Sequence, residues 1–313
     1  MYAKDLSVCI PARNEEFLEL TIKAVFDNAE ADTEVIAVLD GYRPNPPIED
    51  RKKVTFIHNA ESVGQRASTN DAVKLSRAKY IMKADAHCSF AKGFDKALMA
   101  DCEHDWTVIP MMYNLHAFDW KCLKCGDRTY QAPKPTLCGK CKEGTEFERV
   151  IVWGPRRGRK TMSWRFDSEL HFQYWHRSGH PDFKEGLSEV MSFIGACWFM
   201  ERDRYWEIDG LDEATGIWGQ VGTEMACKAW LSGGKLVCNK KTWYGHLFRT
   251  QFGFPYHISG NAQERAKIYS RDFWRNNRWP KQKYPLRWLI DRFWPVPGWT
   301  EEERDRLSDK LPL

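Results

Sequence analysis

Short apolar runs rich in β-branched residues alternate with stretches of helical periodicity through the first part of the chain, residues 1–90. These runs predict four strands, at 6–11, 35–40, 54–58 and 80–87. Because strands that alternate with helices pair in parallel, the pattern predicts an α/β fold around a mostly parallel, doubly wound sheet. Such sheets bind ligands at the carboxyl ends of their strands, and Asp40 and Asp85 stand at two of these ends.

Composition and missing motifs exclude several classes of protein. The chain is 42% hydrophobic and 14% aromatic, which supplies enough apolar surface for a core and excludes an intrinsically disordered chain. It contains neither the glycine fingerprint of dinucleotide-binding folds nor a Walker sequence. No run of about 18 apolar residues and no signal peptide is present, so we expect a cytoplasmic protein with no membrane partner.

Four of the ten cysteines form two Cys-x-x-Cys pairs, Cys122 with Cys125 and Cys138 with Cys141. Each pair can present two thiolates from a tight turn, and two pairs complete the tetrahedral ligand set of a structural Zn²⁺. The alternatives are a redox pair and chance, and two matched pairs disfavour both. The sequence therefore predicts a zinc module over 121–145.

Asp85 and His87 stand two residues apart where the fourth predicted strand ends. Their oxygen and nitrogen atoms suit Mn²⁺ or Mg²⁺, and a pyrophosphate can complete the coordination. The pair alone is also typical of a turn aspartate and a histidine packed in a core. It indicates a metal site only together with other motifs.

Several motifs in one order supply that context. They are 7–15 (SVCIPARNE), 38–42 (VLDGY), 64–73 (GQRASTNDAV), 83–88 (KADAHC) and 245–249 (GHLFR). With them, the chain resembles family-2-like glycosyltransferases of the GT-A fold, and most of all the catalytic domain of the polypeptide N-acetylgalactosaminyltransferases. That family carries Asp-x-His-Cys and Gly-His-x-Phe-Arg motifs. The resemblance implies a nucleotide-diphospho-sugar transferase fold with an inserted zinc ribbon, a UDP-sugar donor and a Mn²⁺-dependent sugar transfer.

The resemblance also implies roles for individual residues. His246 would be the third protein ligand of Mn²⁺, beside Asp85 and His87. The residues that contact the donor nucleotide or its pyrophosphate would be Asp40, Arg66, Asn70, Asp85, Arg249 and His257. For Arg66 the alternative is a solvated helix residue, and for Asn70 a helix cap.

The Trp-Gly element of this family departs here from its usual sequence, because residues 218–224 read WGQVGTE where the family has Trp-Gly-Gly-Glu-Asn-Leu-Glu. Glu224 alone keeps an acidic position and is the best candidate for a catalytic base, with Asp212 behind it and Trp218 in the same catalytic element. An inverting enzyme needs such a base. The family resembled is retaining, so we expect retention. The alternative for Glu224 is a first-turn carboxylate that stabilises a helix dipole.

The net charge of +4 is unevenly distributed. Basic side chains outnumber acidic ones in the segments least like the family, 121–142, 149–165 and 265–292. Positive charge interleaved with aromatic residues suits a polyanion. We therefore hypothesise that the acceptor is a hydroxymethylated pyrimidine in DNA, as in bacteriophage-type genome modification. The alternatives are protein Ser/Thr or a cell-surface glycan as acceptor, and simple packing of a C-terminal helix by the Trp and Arg of the last segment.

These observations divide the chain into four parts: a nucleotide-sugar-binding half (1–120), a zinc ribbon (121–145), an acceptor and catalytic half (146–260) and a basic, Trp-rich helical extension (261–313). A competing class is a non-catalytic nucleic-acid-binding protein in which the zinc ribbon alone acts. Only the enzyme depends on Asp85, His87 and His246.

Overall fold

The computed structural model describes residues 2–144, 146–177, 183–249 and 253–311. The strands are β1 (Lys4–Ala12), β2 (Thr33–Asp40), β3 (Val54–Asn59), β4 (Ala78–Ala84), β5 (Cys88–Phe90), β6 (Trp106–Cys122), β7 (Arg128–Tyr130), β8 (Phe147–Thr161), β9 (Trp164–Phe166), β10 (Phe172–Tyr174), β11 (Leu187–Glu189), β12 (Cys197–Glu201) and β13 (Lys235–His246). The helices are α1 (Leu18–Asn28), α2 (Gln65–Leu75), α3 (Phe94–Ala100), α4 (Arg202–Glu207), α5 (Val221–Leu231), α6 (Gly260–Arg275), α7 (Leu286–Phe293) and α8 (Glu301–Asp305).

One large sheet crosses the molecule in the strand order β11-β13-β6-β12-β4-β1-β2-β3. The four strands β3, β2, β1 and β4 are parallel neighbours. The β12 strand then pairs antiparallel with both β4 and β6, while β13 runs parallel to β6. The α/β class predicted from the sequence is therefore observed, and the carboxyl ends of β1, β2 and β4 lie along one edge.

The parallel strands are apolar over most of their length. All residues of β1 from Leu6 to Ile10 are buried, as are those of β2 from Val35 to Asp40. Such continuous runs are typical of strands that are covered on both faces. The helix α1 buries Leu18, Ile22 and Val25, whose spacing of three and four residues places them on one face.

The fourth strand ends earlier than the sequence predicts. β4 stops at Ala84, and the amide of Asp85 donates to the carbonyl oxygen of Ala196 at 2.8 Å. This bond directs the chain into a turn over 85–87 before β5 begins at Cys88. Asp85 and His87 therefore lie in a turn at the edge of the sheet.

The strands β6 and β8 form a long antiparallel ribbon. The first half of β6 pairs with β12 and β13 in the main sheet, and its second half pairs with β7 and β8. At the end of the ribbon, Cys122, Cys138 and Phe147 form a small buried cluster of their own. The two Cys-x-x-Cys pairs thus lie apart from the main core.

The C-terminal segment packs onto the α/β core through its aromatic residues. Trp274, Trp279 and Trp299 are all buried. Most basic side chains of 265–292 have partners in the chain, such as Arg278 with Asp272 at 2.7 Å. The structure therefore favours the alternative for this segment, packing of a C-terminal helix, over contact of its Trp and Arg side chains with a polyanion.

None of the helices in the described ranges is long and apolar enough to cross a membrane. The longest of them, α6, has 16 residues, whereas a bilayer requires about 20 apolar ones. The predicted cytoplasmic location and the predicted division into four parts stay predictions.

Candidate active site

A cavity of about 620 Å³ opens at the carboxyl edge of the parallel strands. Its lining includes the residues that follow β1, the last residue of β2, the turn after β4 and two later segments, 217–221 and 246–249. This volume is within the usual range for small-molecule sites. Asp40 and Asp85 both line it, as their places at strand ends predict.

Three potential metal ligands meet at this cavity. One carboxylate oxygen of Asp85 and one ring nitrogen each of His87 and His246 lie within 4.8 Å of one another. The Nε2 atom of His246 is 3.2 Å from Asp85 Oδ2. The Nδ1 atom of His246 is buried without a hydrogen-bond partner among the described residues. Carboxylate and imidazole groups both bind divalent cations, and the carboxylate suits Mn²⁺, so these residues fit the predicted ion.

Strand pairing brings His246 to the other two ligands. It is the last residue of β13 and lies opposite Cys88 of β5 in an antiparallel pair. The next amide, of Leu247, donates to the carbonyl oxygen of His87 at 3.2 Å. A pairing between segments far apart in the chain therefore builds the cluster.

Glu15 supports this cluster from behind. Its Oε2 atom is 2.9 Å from His87 Nδ1 and 2.6 Å from an Nη atom of Arg249. Burial raises the pKa of Glu15, but His87 and Arg249 outweigh burial and lower the pKa overall. Because an ionised carboxylate only accepts hydrogen bonds, Nδ1 of His87 is the donor and Nε2 keeps its lone pair for a metal.

Lys83 holds the other ligand, Asp85. Its side chain is completely buried, and its ammonium group donates to Asp85 Oδ1 and to the carbonyl oxygen of Gly195. Gln65 Nε2 donates to the same carboxylate oxygen at 3.1 Å. These two donors occupy Oδ1 and leave Oδ2 on the side of His246.

Electrostatics favour the forms of both ligands that bind a metal. Burial raises the pKa of Asp85, but Lys83 and His246 outweigh it and hold the pKa well below its usual range. Burial lowers the pKa of His246, so its ring is neutral at neutral pH.

Asp40 is buried and organises the loop that leads into α2. Its two carboxylate oxygens accept hydrogen bonds from the Ser62 hydroxyl at 2.6 Å and from the amides of Val63 and Gly64 at 2.8 and 3.0 Å. Gly64 adopts a φ of +93°, and a Cβ atom there would lie 2.6 Å from the Cα atom of Ile217. Asp40 thus fixes a loop against the 216–220 segment.

Aromatic and basic side chains complete the wall. Trp218 packs edge-to-face against Phe254 with ring centroids 5.7 Å apart. The Arg13 guanidinium lies 4.9 Å from the ring centroid of Tyr256. Arg249 and His257 also line the cavity, the first buried and the second exposed. The structure therefore brings Asp40, Asp85, His87, Trp218, His246, Arg249 and His257 to one cavity.

Arg66 and Glu224 lie behind the cavity. Their side chains are buried and form an ion pair of 2.9 Å, and Lys228 is 3.1 Å from the other oxygen of Glu224. The remaining nitrogens of Arg66 donate to the carbonyl oxygens of Gly216 and Gly219 at 2.9 and 2.7 Å. Because these bonds hold the 216–220 segment, the geometry favours a positioning role for both residues over the predicted contacts with substrate.

Asn70 and Asp212 likewise have partners in the protein. Asn70 is buried and exchanges hydrogen bonds with the backbone of Leu211. Asp212 caps a turn of 3₁₀ helix over Glu213–Thr215 and accepts a hydrogen bond from the Tyr269 hydroxyl at 2.9 Å. Both residues hold the segment before the Trp-Gly element, and neither is on the cavity wall.

The four cysteines of the paired motifs converge at the end of the ribbon. Their sulfur atoms all lie within 4.8 Å of one another, with Cys122 and Cys141 4.0 Å apart and Cys125 and Cys138 3.6 Å apart. Four thiolates at about 2.3 Å from one Zn²⁺ stand about 3.8 Å from each other, whereas a disulfide requires about 2.05 Å. The amides of Cys141 and Lys140 lower the pKa of Cys138 to about 7. The cluster has the geometry of a zinc site.

Sequence reasoning missed Glu15 and Lys83. Glu15 belongs to the polar run that follows the buried first strand, which is a signal for a strand-end site. Lys83 is the one charged residue between Tyr80 and Ala84 in a buried strand, and a buried lysine requires a partner.

Comparisons with known proteins agree on one family. Residues 7–119 match the profile of the glycosyl transferase family 2. A Drosophila melanogaster protein assigned as polypeptide N-acetylgalactosaminyltransferase 13 is 23% identical over 83% of this chain and 44% of its own length. The human polypeptide N-acetylgalactosaminyltransferase 13 is 22% identical over 84% of this chain and 40% of its own length. The chain thus spans less than half the length of these curated relatives.

A solved structure shows the same fold. The crystal structure of GalNAc-T7 with UDP, GalNAc and Mn²⁺ superposes with a TM-score of 0.60 and 16% identity, covering 87% of this chain and 48% of that one. The predicted GT-A type fold is therefore confirmed. Residues 7–119 are a glycosyl transferase family 2 domain, and the chain is homologous to the polypeptide N-acetylgalactosaminyltransferases.

Proposed function

We propose that the protein is a metal-dependent glycosyltransferase that moves a sugar from a UDP-sugar to a hydroxyl acceptor. The observation that carries this proposal is the meeting of Asp85, His87 and His246 at the cavity that Asp40 also lines. The homology to N-acetylgalactosaminyltransferases supports it, as does the fold shared with a protein solved with UDP and Mn²⁺.

Each part of the donor has residues to bind it in this proposal. The nucleoside lies at the end of the cavity formed by Arg13, Asp40 and Gly64, and the pyrophosphate lies near Arg249 and His257. Asp85, His87 and His246 would hold Mn²⁺ or Mg²⁺, and the ion would supply positive charge that offsets the charge of the diphosphate. Glu15 orients His87 and Arg249 together, so one carboxylate aligns a metal ligand and a phosphate ligand.

We propose that transfer proceeds with retention of configuration. Three carboxylates line the cavity in the described part of the chain, those of Glu15, Asp40 and Asp85, and each has hydrogen bonds or ion pairs already. Glu224 is 2% exposed and paired with two cations. A front-side reaction needs no separate carboxylate base, which fits this arrangement.

Specific observations favour two of the candidate acceptors. The names of the homologues favour a Ser or Thr hydroxyl of a polypeptide. A hydroxymethylated pyrimidine in DNA is favoured by cations that have no ion-pair partner among the described residues. They include Arg159 and Lys160 on β8, and Lys140 and Lys142 in the segment between β7 and β8. We also propose that Cys122, Cys125, Cys138 and Cys141 bind a structural Zn²⁺ that orders the end of this ribbon.

The experiment that tests the activity is thermal unfolding with UDP and Mn²⁺, followed by a mass-spectrometric screen of UDP-sugars against peptides, hydroxymethylated DNA and unmodified DNA. UDP with Mn²⁺ is expected to raise the melting temperature by about 5 °C. Asp85→Ala and His246→Ala should abolish that shift and sugar transfer. His104→Ala is the matched control, because His104 pairs with Glu201 on the surface away from the cavity.

Equal thermal shifts in wild type and the three variants would contradict the proposed activity. So would the absence of any shift and any transfer in all four proteins. That outcome would favour a non-catalytic protein that binds nucleic acid through its zinc ribbon.

A further inference from the structure

A second cavity, of about 1050 Å³, adjoins the first. Both cavities are lined by Ile217, whose side chain is 45% exposed. Residues 214–217 line the second cavity, and 217–221 line the first. A polymeric ligand bound in the second cavity can therefore present one of its groups to the first cavity, because Ile217 borders both of them.

The helix α6 also borders both cavities. Gln263 and Lys267, one turn apart, line the first cavity. A second stripe of α6 lines the other cavity and includes Ala262, Arg265, Tyr269 and Asp272, at helical spacings of three and four. One rigid helix thus fixes the distance between the two sites.

The second cavity carries an excess of positive charge. Its charged lining residues are Arg265, Arg271, Arg275, Arg306, Glu169 and Asp272. The acidic residues are partly occupied, because Glu169 pairs with Arg271 and Asp272 pairs with Arg278. Guanidinium groups favour anionic oxygens such as those of phosphates, which they bind through two parallel hydrogen bonds.

Arg265 is the cation that is free for a ligand. It is exposed and has no hydrogen bond or ion pair with any residue in the described ranges. By contrast, Arg275 donates to the carbonyl oxygen of Ser168 at 2.6 Å and Arg306 pairs with Glu302 at 2.5 Å. From Arg265 to Arg275 the helix rises about 15 Å, a length that spans several units of an extended chain.

Exposed apolar side chains flank these cations. Ile217 is 45% and Ile268 is 48% exposed, and both line the second cavity. The ring of Tyr269 lines the same cavity, and arginines beside an aromatic ring suit the phosphates and base faces of a single strand. We propose that this cavity binds the acceptor as a single-stranded phosphodiester chain, with Arg265 on a phosphate. The inference rests on the proposed sugar transfer and names its acceptor class.

Fluorescence anisotropy with a labelled 12-nucleotide oligothymidylate tests the proposal on the full chain without donor or metal. Wild type is expected to bind, and more weakly as salt rises. Arg265→Glu should weaken binding at least about tenfold, and Arg265→Gln should reduce the slope of log affinity against log salt by about one. The control Lys96→Glu makes the same charge change on α3, which lines neither cavity, and should bind like wild type.

Three results would overturn the proposal: no binding by wild type, equal losses in Arg265→Glu and Lys96→Glu, or equal affinity for polyglutamate of the same charge. Because the assay contains no UDP-sugar, its result does not depend on whether the proposed sugar transfer occurs. If oligothymidylate binds but UDP and Mn²⁺ cause no thermal shift, the second cavity would still be a binding site for a single strand. The proposed sugar transfer would then be wrong.

Discussion

Arg66 Nε lies 2.9 Å from Glu224 Oε2, with both side chains buried. The pair joins α2, which follows the loop that Asp40 fixes, to α5, which begins at Val221 inside the Trp-Gly element. Lys228 adds a second cation to the same carboxylate. The two halves of the candidate active site are therefore connected through one buried charged group.

Replacement of this carboxylate should cost stability at neutral pH. Glu224→Gln leaves Arg66 and Lys228 buried without a counter-charge and should lower the free energy of unfolding by about 3 kcal/mol. Urea unfolding at pH 7 measures this loss. If Glu224 is a positioning residue, the folded variant should retain transfer within a few-fold of wild type. A loss above about a hundredfold with unchanged stability would make it the catalytic base.

The same variant should show a pH dependence of definite sign. Burial raises the pKa of Glu224, but Lys228 and Arg66 outweigh it and lower the pKa overall. A carboxyl group with a lowered pKa stabilises the folded state above its unfolded pKa of about 4.3, and that stabilisation is lost as the pH falls through the folded value. The difference between wild type and Glu224→Gln should therefore be largest near pH 7 and shrink below about pH 4.3. A difference that stays constant would contradict the ion pairs.

Lys83→Met should make the protein depend on the metal for stability. The substitution leaves Asp85 with Gln65 and His246 as partners and should destabilise the fold by about 2 kcal/mol. Because Mn²⁺ restores the missing positive charge, it should raise the melting temperature of the variant more than that of wild type.

The matched control is Lys79→Met, on the same strand but only half-buried and paired with Glu201 at 3.4 Å. Its response to Mn²⁺ should equal that of wild type. An equal response in all three proteins would show that Lys83 has no influence on the metal site.

The freshly purified chain should contain about one zinc ion by mass spectrometry of the metal. Cys138→Ser should lose it, whereas Cys102→Ser, outside the cluster, should keep it. The thermal shift by UDP and Mn²⁺ should persist in both variants, because the cysteine cluster packs apart from the main core. Zinc-free wild type, or equal zinc in both variants, would contradict the site.

Local patterns predicted the parts of the molecule that local physics determines. The apolar runs of β1 and β2 and the two Cys-x-x-Cys pairs are local signals, and each was visible in the sequence. The buried partnership of Arg66 with Glu224 was not, because it joins residues 158 positions apart. The sequence reports that an arginine and a glutamate are present, whereas their common burial is a result of how α2 and α5 pack.

The metal ligands could be predicted from local sequence only in part. Asp85 and His87 are neighbours in one turn, but His246 was assigned only through the family resemblance. Lys83 contacts Asp85 from within β4, and Glu15 contacts His87 from the segment that follows β1. Supporting residues of this kind are hard to predict, because a charged residue in or beside an apolar strand has no visible partner until the sheet is assembled.

The strand β6 belongs both to the main sheet, where Asn114 lies opposite His246, and to the ribbon that ends in the cysteines. Side chains alternate between the two faces of a strand. Changing the length of a strand by an even number of residues therefore differs in its effect from changing it by an odd number. Removing two consecutive residues from β6, together with the two residues of β8 that pair with them, shortens the ribbon and keeps each remaining side chain on its own face. Removing a single residue from the regular part of the ribbon, beyond the register shifts that lie between Tyr113 and Phe118, reverses the faces of the residues that follow. Homologues with ribbons of other lengths should therefore differ by even numbers of residues per strand, leaving the neighbourhood of His246 unchanged.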